Sequence, residues 1–174
     1  MTICLSNQFC KLRKFTLEDI TETYVNWLND EEINRFLESR FEKHTMESVS
    51  KQARLWINNE NYMYFSIRCP TSDEHVGNIK LGPINQYHQT ADIGYIIGKK
   101  DYAGKGIATN ALVLLSNFAF NNGVKKIIAG AYEVNLASIR VMEKAGFSLE
   151  CIRKSHVVVD GKRIDSVLYA KYAT

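Results

Sequence analysis

One stretch of this chain, residues 92–119, restricts the fold more than any other, because its hydrophobic period changes abruptly across a short turn. Residues 93–97 read Ile-Gly-Tyr-Ile-Ile, and β-branched and aromatic residues of this kind are typical of a strand. Residues 107–119 place apolar side chains three and four positions apart, which predicts an amphipathic helix. Ala103-Gly104-Lys105-Gly106 lies between the two. The stretch therefore predicts a strand, a glycine-rich turn and a helix, in that order.

The glycine turn has the composition of an anion site. Gly104 and Gly106 allow a tight turn and leave backbone N–H groups uncovered where the helix begins, which is also the positive end of the helix dipole. The spacing is not that of a nucleotide-binding P-loop, and Thr109 stands where a dinucleotide fingerprint needs its third glycine. Taken alone, the turn leaves two interpretations open, an anion site or a glycine turn before a core helix.

Length and composition limit the class of protein. A chain of 174 residues predicts a single domain over residues 1–174. The net charge is +3, and the basic and acidic residues are interspersed along the chain, which does not argue for a nucleic-acid partner. The four cysteines form no CxxC pair, so we expect reduced thiols and no metal site. Without a long apolar run we expect no membrane segment and a cytoplasmic protein.

The remaining periodicity predicts an α+β fold. Apolar positions at helical spacing predict helices beginning at Thr16, at Thr45 or Met46 and at Leu136, and a short helical turn within residues 29–38. Asp160-Gly161 predicts a hairpin turn between the last two strands. The predicted strands cover residues 9–14, 62–69, 75–81, 90–97, 125–132, 147–159 and 163–172.

With that order established, residues 62–172 resemble the GNAT superfamily of acyl-CoA-dependent N-acetyltransferases. Residues 101–106, Asp-Tyr-Ala-Gly-Lys-Gly, are similar to the family element [RQ]-x-x-G-x-[GA], with Asp101 in place of Arg or Gln. Asn135-Leu-Ala-Ser138, followed by Gly146-Phe147, is similar to the subgroup of ribosomal-protein N-terminal and spermidine acetyltransferases. The resemblance implies the GNAT fold, a single mixed, mostly antiparallel sheet of about seven strands with a splayed centre, flanked by about four helices.

The resemblance also implies acetyl-CoA as the cofactor. The N–H groups of residues 103–108 would hold the pyrophosphate, and the pantetheine arm would pair with the strand before the turn. Lys105 and Lys144 would face phosphates, with ordinary solvated lysines as the alternative. The implied cofactor-binding residues are Tyr95, Ile96, Ile97, Ala103, Gly104, Lys105, Gly106, Ile107, Ala108, Asn135, Ser138 and Lys144.

The implied reaction, attack of a neutral amine on a thioester, needs an acid for the departing thiolate. Ser138 matches the family serine and is the candidate proton donor. Asn135 is expected to cap the same helix and to contact the pantetheine or a relay water. The alternative is that both residues are caps only. Tyr95 and Tyr132 are further acid candidates.

The reaction also needs a base, because a primary amine is mostly protonated at neutral pH. Asp92 matches an acidic position common in the family, and Glu133 ends the next strand. A water chain that ends on either carboxylate would suffice, and the two alternatives stay open.

The acceptor amine is the least determined part of the prediction. The resemblance places specificity in residues 27–41, 82–89 and 151–165. Carboxylates there would hold a cationic amine, whereas arginines would hold a nucleotide diphosphate. We expect a small amine, such as a nucleotide-linked amino sugar or a polyamine, with a protein N-terminus as the alternative. The candidate substrate-binding residues are Trp27, Asp30, Glu31, Arg35 and Glu38.

The sequence therefore predicts an acetyl-CoA-dependent N-acetyltransferase that works by direct attack of the amine on the thioester. A non-catalytic acyl-CoA-binding sensor on the same fold is the alternative from another class. Whether the protein forms a homodimer stays open.

Overall fold

The computed structural model describes residues 3–173. They form one eight-stranded sheet, in which the strands lie in the order β1-β2-β3-β4-β5-β6-β8-β7, together with five α-helices. The strands are β1 Cys4–Ser6, β2 Lys11–Lys14, β3 Met63–Arg68, β4 His75–Asn85, β5 Thr90–Ile97, β6 Lys126–Tyr132, β7 Ser148–Val159 and β8 Lys162–Tyr172. The helices are α1 Glu22–Asn29, α2 Glu31–Asn34, α3 Met46–Ile57, α4 Ile107–Asn121 and α5 Leu136–Lys144.

The predicted α+β fold is confirmed, and three details differ from the prediction. The eighth strand is β1, whose three residues are too few to produce a recognisable period. Strand β4 does not stop at Gly82 but continues to Asn85, because a bulge between Leu81 and Ile84 absorbs the irregular residues. Thr16 opens only a single 3₁₀ turn, and the helix proper is capped by Thr21, whose hydroxyl accepts a hydrogen bond from the Tyr24 N–H.

Helices cover the two faces of the sheet unequally. The main core lies under α4 and α5, where Leu112, Leu115 and Met142 are fully buried against the strands. A second cluster, which includes Phe15, packs α1 and α3 onto the opposite face. We call this opposite face the α1 face. Helix α3 packs over β3 there, whereas over β5 and β6 the face forms an open trough that Ile33, Phe36 and Leu37 flank and in which Gly94 is exposed.

The sheet is splayed at its centre. Strands β5 and β6 are the parallel pair, and their pairing runs from Thr90 opposite Lys126 only as far as Ile93 opposite Ala129. Beyond that point β5 stays paired with β4 up to Ile97, and β6 stays paired with β8 up to Tyr132. The two central strands therefore separate, and the gap between them is lined by backbone N–H and C=O groups that no neighbouring strand pairs with. An extended ligand could form hydrogen bonds with these groups.

Two findings concern absences within residues 3–173. No helix in this range is long and apolar enough to cross a bilayer. The same residues contain no group of three or more His, Cys, Asp or Glu side chains placed to hold a metal ion.

Candidate active site

The glycine turn lies just beyond the open end of β5 and carries a row of free donors. Gly104 and Gly106 have φ values of +74° and +79°, which favour glycine. Along the part of the chain that the structure describes, no protein group accepts a hydrogen bond from the backbone N–H groups of residues 104–109. Because a helix begins there, these six N–H groups have the arrangement of an anion cradle.

A side-chain network that the sequence did not indicate holds the turn in place. Asn110, in the first turn of α4, donates from Nδ2 to the Gly106 carbonyl at 2.9 Å. Its Oδ1 accepts a hydrogen bond from Asn7 at 2.9 Å, and Asn7 itself closes the connection between β1 and β2. A Cβ added at Gly104 would meet no heavy atom within 4 Å, so the cradle has room for a ligand.

A cleft of about 700 Å³ joins this cradle to the gap between β5 and β6. It passes the unpaired end of β5 and continues to Gly130 and the first two turns of α5. Eight of the predicted cofactor-binding residues line it, namely Tyr95, Ile96, Ile97, Ala103, Gly104, Ala108, Asn135 and Ser138.

The other four predicted cofactor residues do not line the cleft. Ile107 is buried in the core, so only its backbone N–H faces the cradle, and Gly106 likewise offers backbone alone. Lys105 is exposed, with its ammonium 5.3 Å from the centre of the Tyr102 ring. Lys144 is exposed in the last turn of α5.

Two hydroxyl groups meet inside the cleft. The Tyr95 phenol and the Ser138 hydroxyl lie 3.0 Å apart, and either can donate. Asn135 caps α5 by accepting a hydrogen bond from the Ser138 N–H at 3.2 Å, which leaves the serine hydroxyl free for this contact. Burial raises the pKa of Tyr95, so its phenol is protonated at neutral pH. The pair is therefore placed to give a proton to an atom in the cleft.

The two candidate bases occupy different environments. Asp92 is exposed next to Ile93, where the pairing of β5 with β6 ends, and it shares the α1 face with Gly94. Glu133 instead fastens β6 to β8, because its Oε1 accepts a hydrogen bond from the Asp165 N–H at 2.9 Å. Glu133 does not line the cleft. Asp92 does not line the cleft either, but it lies one residue before the point where β5 and β6 separate.

Two of the candidate substrate residues are occupied with structural contacts. Trp27 is 6% exposed and packs on Gly98, where an added Cβ would lie 1.8 Å from the indole. Asp30 caps α2 by accepting a hydrogen bond from the Glu32 N–H at 2.9 Å, and it lies 3.4 Å from the Lys100 ammonium. These contacts, the Glu32 N–H bond foremost, lower the pKa of Asp30.

A second cavity, of about 730 Å³, lies between α2 and the tip of the β7–β8 hairpin. We call it the acceptor cavity. Glu31 and Arg35 line it, and Arg35 pairs with Asp160 across it at 3.1 Å. The predicted segment 82–89 does not line this cavity, because it forms the end of β4 and the turn into β5, at the far end of β5 from the cradle.

A three-residue cluster lies between the acceptor cavity and the cleft. Tyr132, at the open end of β6, donates a hydrogen bond to Glu38 and accepts one from Arg40 Nη1 at 2.8 Å. Arg40 also donates to the Val158 carbonyl at 3.2 Å and so ties the segment after α2 to the hairpin. Glu38 was among the predicted substrate residues. Arg40 falls within the predicted specificity segment 27–41, but its role in this cluster was not predicted, because two of its partners lie 92 and 118 residues away.

Comparison with known proteins gives a consistent result. The family model of the acetyltransferase (GNAT) domain matches residues 10–148. The probable N-acetyltransferase YjcK of Bacillus subtilis (strain 168) is 39% identical over 105 residues, which is 59% of this chain and 57% of that protein. The spermidine N(1)-acetyltransferase of Escherichia coli (strain K12) is 29% identical over 143 residues, 80% of this chain and 73% of that protein.

Among solved structures, the microcin C7 self-immunity acetyltransferase MccE, in complex with acetyl-CoA and AMP, superposes with a TM-score of 0.80. It is 25% identical, and the match covers 95% of this chain and 93% of that one.

Proposed function

This chain belongs to the GNAT acetyltransferase family, and we propose that it moves an acetyl group from acetyl-CoA in the cleft to a primary amine entering from the α1 face. Acetyl-CoA supplies the acetyl group as an activated thioester. The observation that carries the proposal is the splay of β5 from β6 directly beside the row of free N–H groups. A pantetheine arm and a pyrophosphate need these two features side by side.

The residues around the cleft fit this cofactor. The N–H groups of residues 104–109 would hold the pyrophosphate without a dedicated side-chain charge, and the open space at Gly104 leaves room for it. The unpaired edge of β5, residues 94–97, would take the pantetheine amides as an added strand. Lys105 is placed to add a positive charge from the rim.

Proton transfer is divided between the two faces of the sheet. Asp92, on the open α1 face, would accept the proton that the attacking amine must lose, directly or through one water. The Ser138 and Tyr95 hydroxyls, on the α5 side, would return a proton to the departing thiolate. The base would therefore lie on the side from which the amine attacks, and the acids on the side from which the thiolate leaves.

The charges around the acceptor cavity favour a cationic acceptor over a nucleotide-linked amino sugar. Arg35 is paired with Asp160, and Arg40 is engaged by Leu37, Tyr132 and Val158, so a diphosphate would have to displace existing contacts of both arginines. Within residues 3–173, three charged residues of the lining make no ion pair or side-chain hydrogen bond, namely Glu31, Glu42 and Lys43, so the unpaired carboxylates outnumber the unpaired cation by two to one. We therefore infer that the acceptor is a polyamine-like molecule, a class that includes the substrate named for the Escherichia coli relative.

One observation favours a second acceptor class, the N-terminus of a protein. The α1 face over β5 and β6 is open, and Asp92, Gly94 and Gly130 are exposed along it. An open trough accepts an extended peptide more readily than a closed cavity does.

The decisive experiment measures free thiol released from acetyl-CoA with panels of polyamines, N-terminal peptides and amino sugars. We expect spermidine-like amines to give the highest kcat/KM. Turnover highest with peptides would select the second class, and turnover highest with nucleotide-linked sugars would contradict the charge argument. Acetyl-CoA binding by calorimetry without turnover on any amine would identify a sensor instead of an enzyme.

A further inference from the structure

Lys80 is a half-buried cation that the proposed function leaves unexplained. Its Nζ lies 4.2 Å from the centre of the Trp56 ring and 5.2 Å from that of Tyr62. Over residues 3–173, no carboxylate lies within ion-pair distance of this ammonium. The two rings therefore fix the position of a positive charge by cation–π attraction.

The strand register places this charge beside the splay. In the β4–β5 ladder Lys80 lies directly opposite Gly94, so it shares the α1 face with Gly94 and with Asp92, its diagonal neighbour. Gly94 has no side chain, and a Cβ there would meet nothing within 4 Å. Burial lowers the pKa of Lys80, and attraction to Asp92 opposes that effect.

We propose that Lys80 is a positioning residue for the acetyl transfer, and that its fixed ammonium keeps the Asp92 carboxylate on the side of β5 from which the amine enters. The proposal rests on the proposed function, in which Asp92 accepts the amine proton. Lys80 exchanges no proton in the step. The amine nitrogen forms its bond to the acetyl carbon and gives its proton to Asp92, and the C–S bond of the thioester breaks. The departing thiolate takes one proton from Ser138 or Tyr95, and that hydroxyl then regains a proton from solvent.

A purely structural lysine would have different properties. If Lys80 only covered the Trp56 ring, an uncharged side chain of the same length would replace it with no loss of turnover. If its charge directs Asp92, removing the charge reduces turnover even though the rings stay covered. A guanidinium, which also stacks on aromatic rings, would restore most of the effect.

The test is a double-mutant cycle on turnover with the best amine of the panel. We expect Lys80→Met to lower kcat about tenfold with the KM for acetyl-CoA unchanged, and Lys80→Arg to recover most of that loss. In the Asp92→Asn background, Lys80→Met should cause little further loss, because the carboxylate that it acts on is gone. Losses that simply multiply, or a wild-type kcat in Lys80→Met, would overturn the proposal.

A second variant protects the test against a folding defect. Trp56→Leu keeps the lysine but removes the ring that fixes it, so it should also lower kcat and should also lose its effect in the Asp92→Asn background. Thermal unfolding of each variant shows whether the fold is intact. Failure of the proposed function has a separate signature, because a wild-type kcat in Asp92→Asn itself would remove Asp92 as the base.

Discussion

The two halves of the active site use different chemical groups, backbone amides in one and side chains in the other. The cofactor half takes its row of donors from the backbone N–H groups of one continuous stretch, the turn between β5 and α4, although side chains of α2, β6 and α5 also line the cleft. The acceptor half is made of side chains from segments far apart in the chain, joined by contacts such as Arg35 with Asp160. A backbone site survives most changes of side chain, whereas a side-chain site changes with each substitution. The second half can therefore acquire a new acceptor while the first keeps its cofactor.

The largest effect is expected where a side chain enters the backbone site. In Gly104→Glu the new carboxylate would stand in the anion cradle, at a position whose φ of +74° already disfavours a side chain. We expect acetyl-CoA affinity, measured by calorimetry, to fall by at least about 100-fold through lost space and charge repulsion.

Gly123→Glu is the matched control for this variant. Gly123 also has a positive φ, +95°, and open space around an added Cβ, but it lies at the other end of α4. It should carry the same backbone cost without affecting acetyl-CoA binding. Equal losses in the two variants would mean that the turn is a structural feature and not an anion site.

The next largest effect is expected at Gly94, where the cofactor half and the path of the amine meet. Gly94 lies at the splay on the α1 face, has an ordinary strand φ, and is exposed. Gly94→Val suits a strand but fills the space through which the amine would approach. We expect kcat to fall about 100-fold while acetyl-CoA affinity stays within about threefold, because the pantetheine uses the strand edge and not the face. Gly94→Ala should lie between the two, and an unchanged kcat in both would place the amine elsewhere.

The same division explains what could be predicted from the sequence. The turn at residues 103–106 and the strand before it are consecutive, so their composition alone indicates strand, anion cradle and helix. Tyr95 and Ser138 were each candidates, but their 3.0 Å contact joins residues 43 positions apart. Arg40 fell within the predicted specificity segment 27–41, but nothing local distinguishes an arginine that ties two distant segments from one that binds a ligand. Glu133 is a candidate base because it follows a central strand, and the sequence could not show that its carboxylate accepts a hydrogen bond from β8.

A smaller loss is expected from the hydroxyl pair. Ser138→Ala removes one of two proton donors but keeps the cap of α5, which uses the Ser138 N–H and not its hydroxyl. We expect kcat to fall about tenfold with acetyl-CoA affinity nearly unchanged, since Tyr95 can still reach the thiolate. Tyr95→Phe is the companion variant, and the double variant should be slower than either one. A wild-type rate in Ser138→Ala would remove the serine from the mechanism.

The smallest effects belong to the acceptor half, because its free charges are exposed. Glu31→Gln and Glu42→Gln each remove one unpaired carboxylate from the acceptor cavity. We expect each to raise the KM for a polyamine about threefold, with kcat and acetyl-CoA affinity unchanged, and the increase should shrink at high salt. Glu18→Gln removes the same charge from the 3₁₀ turn before α1 and should leave every constant unchanged. If the KM for peptides changed and that for polyamines did not, the acceptor would be a protein N-terminus, and these carboxylates would bind basic residues of the peptide. If neither constant moved, the acceptor would bind over the open face beside Gly94, and the acceptor cavity would not determine specificity.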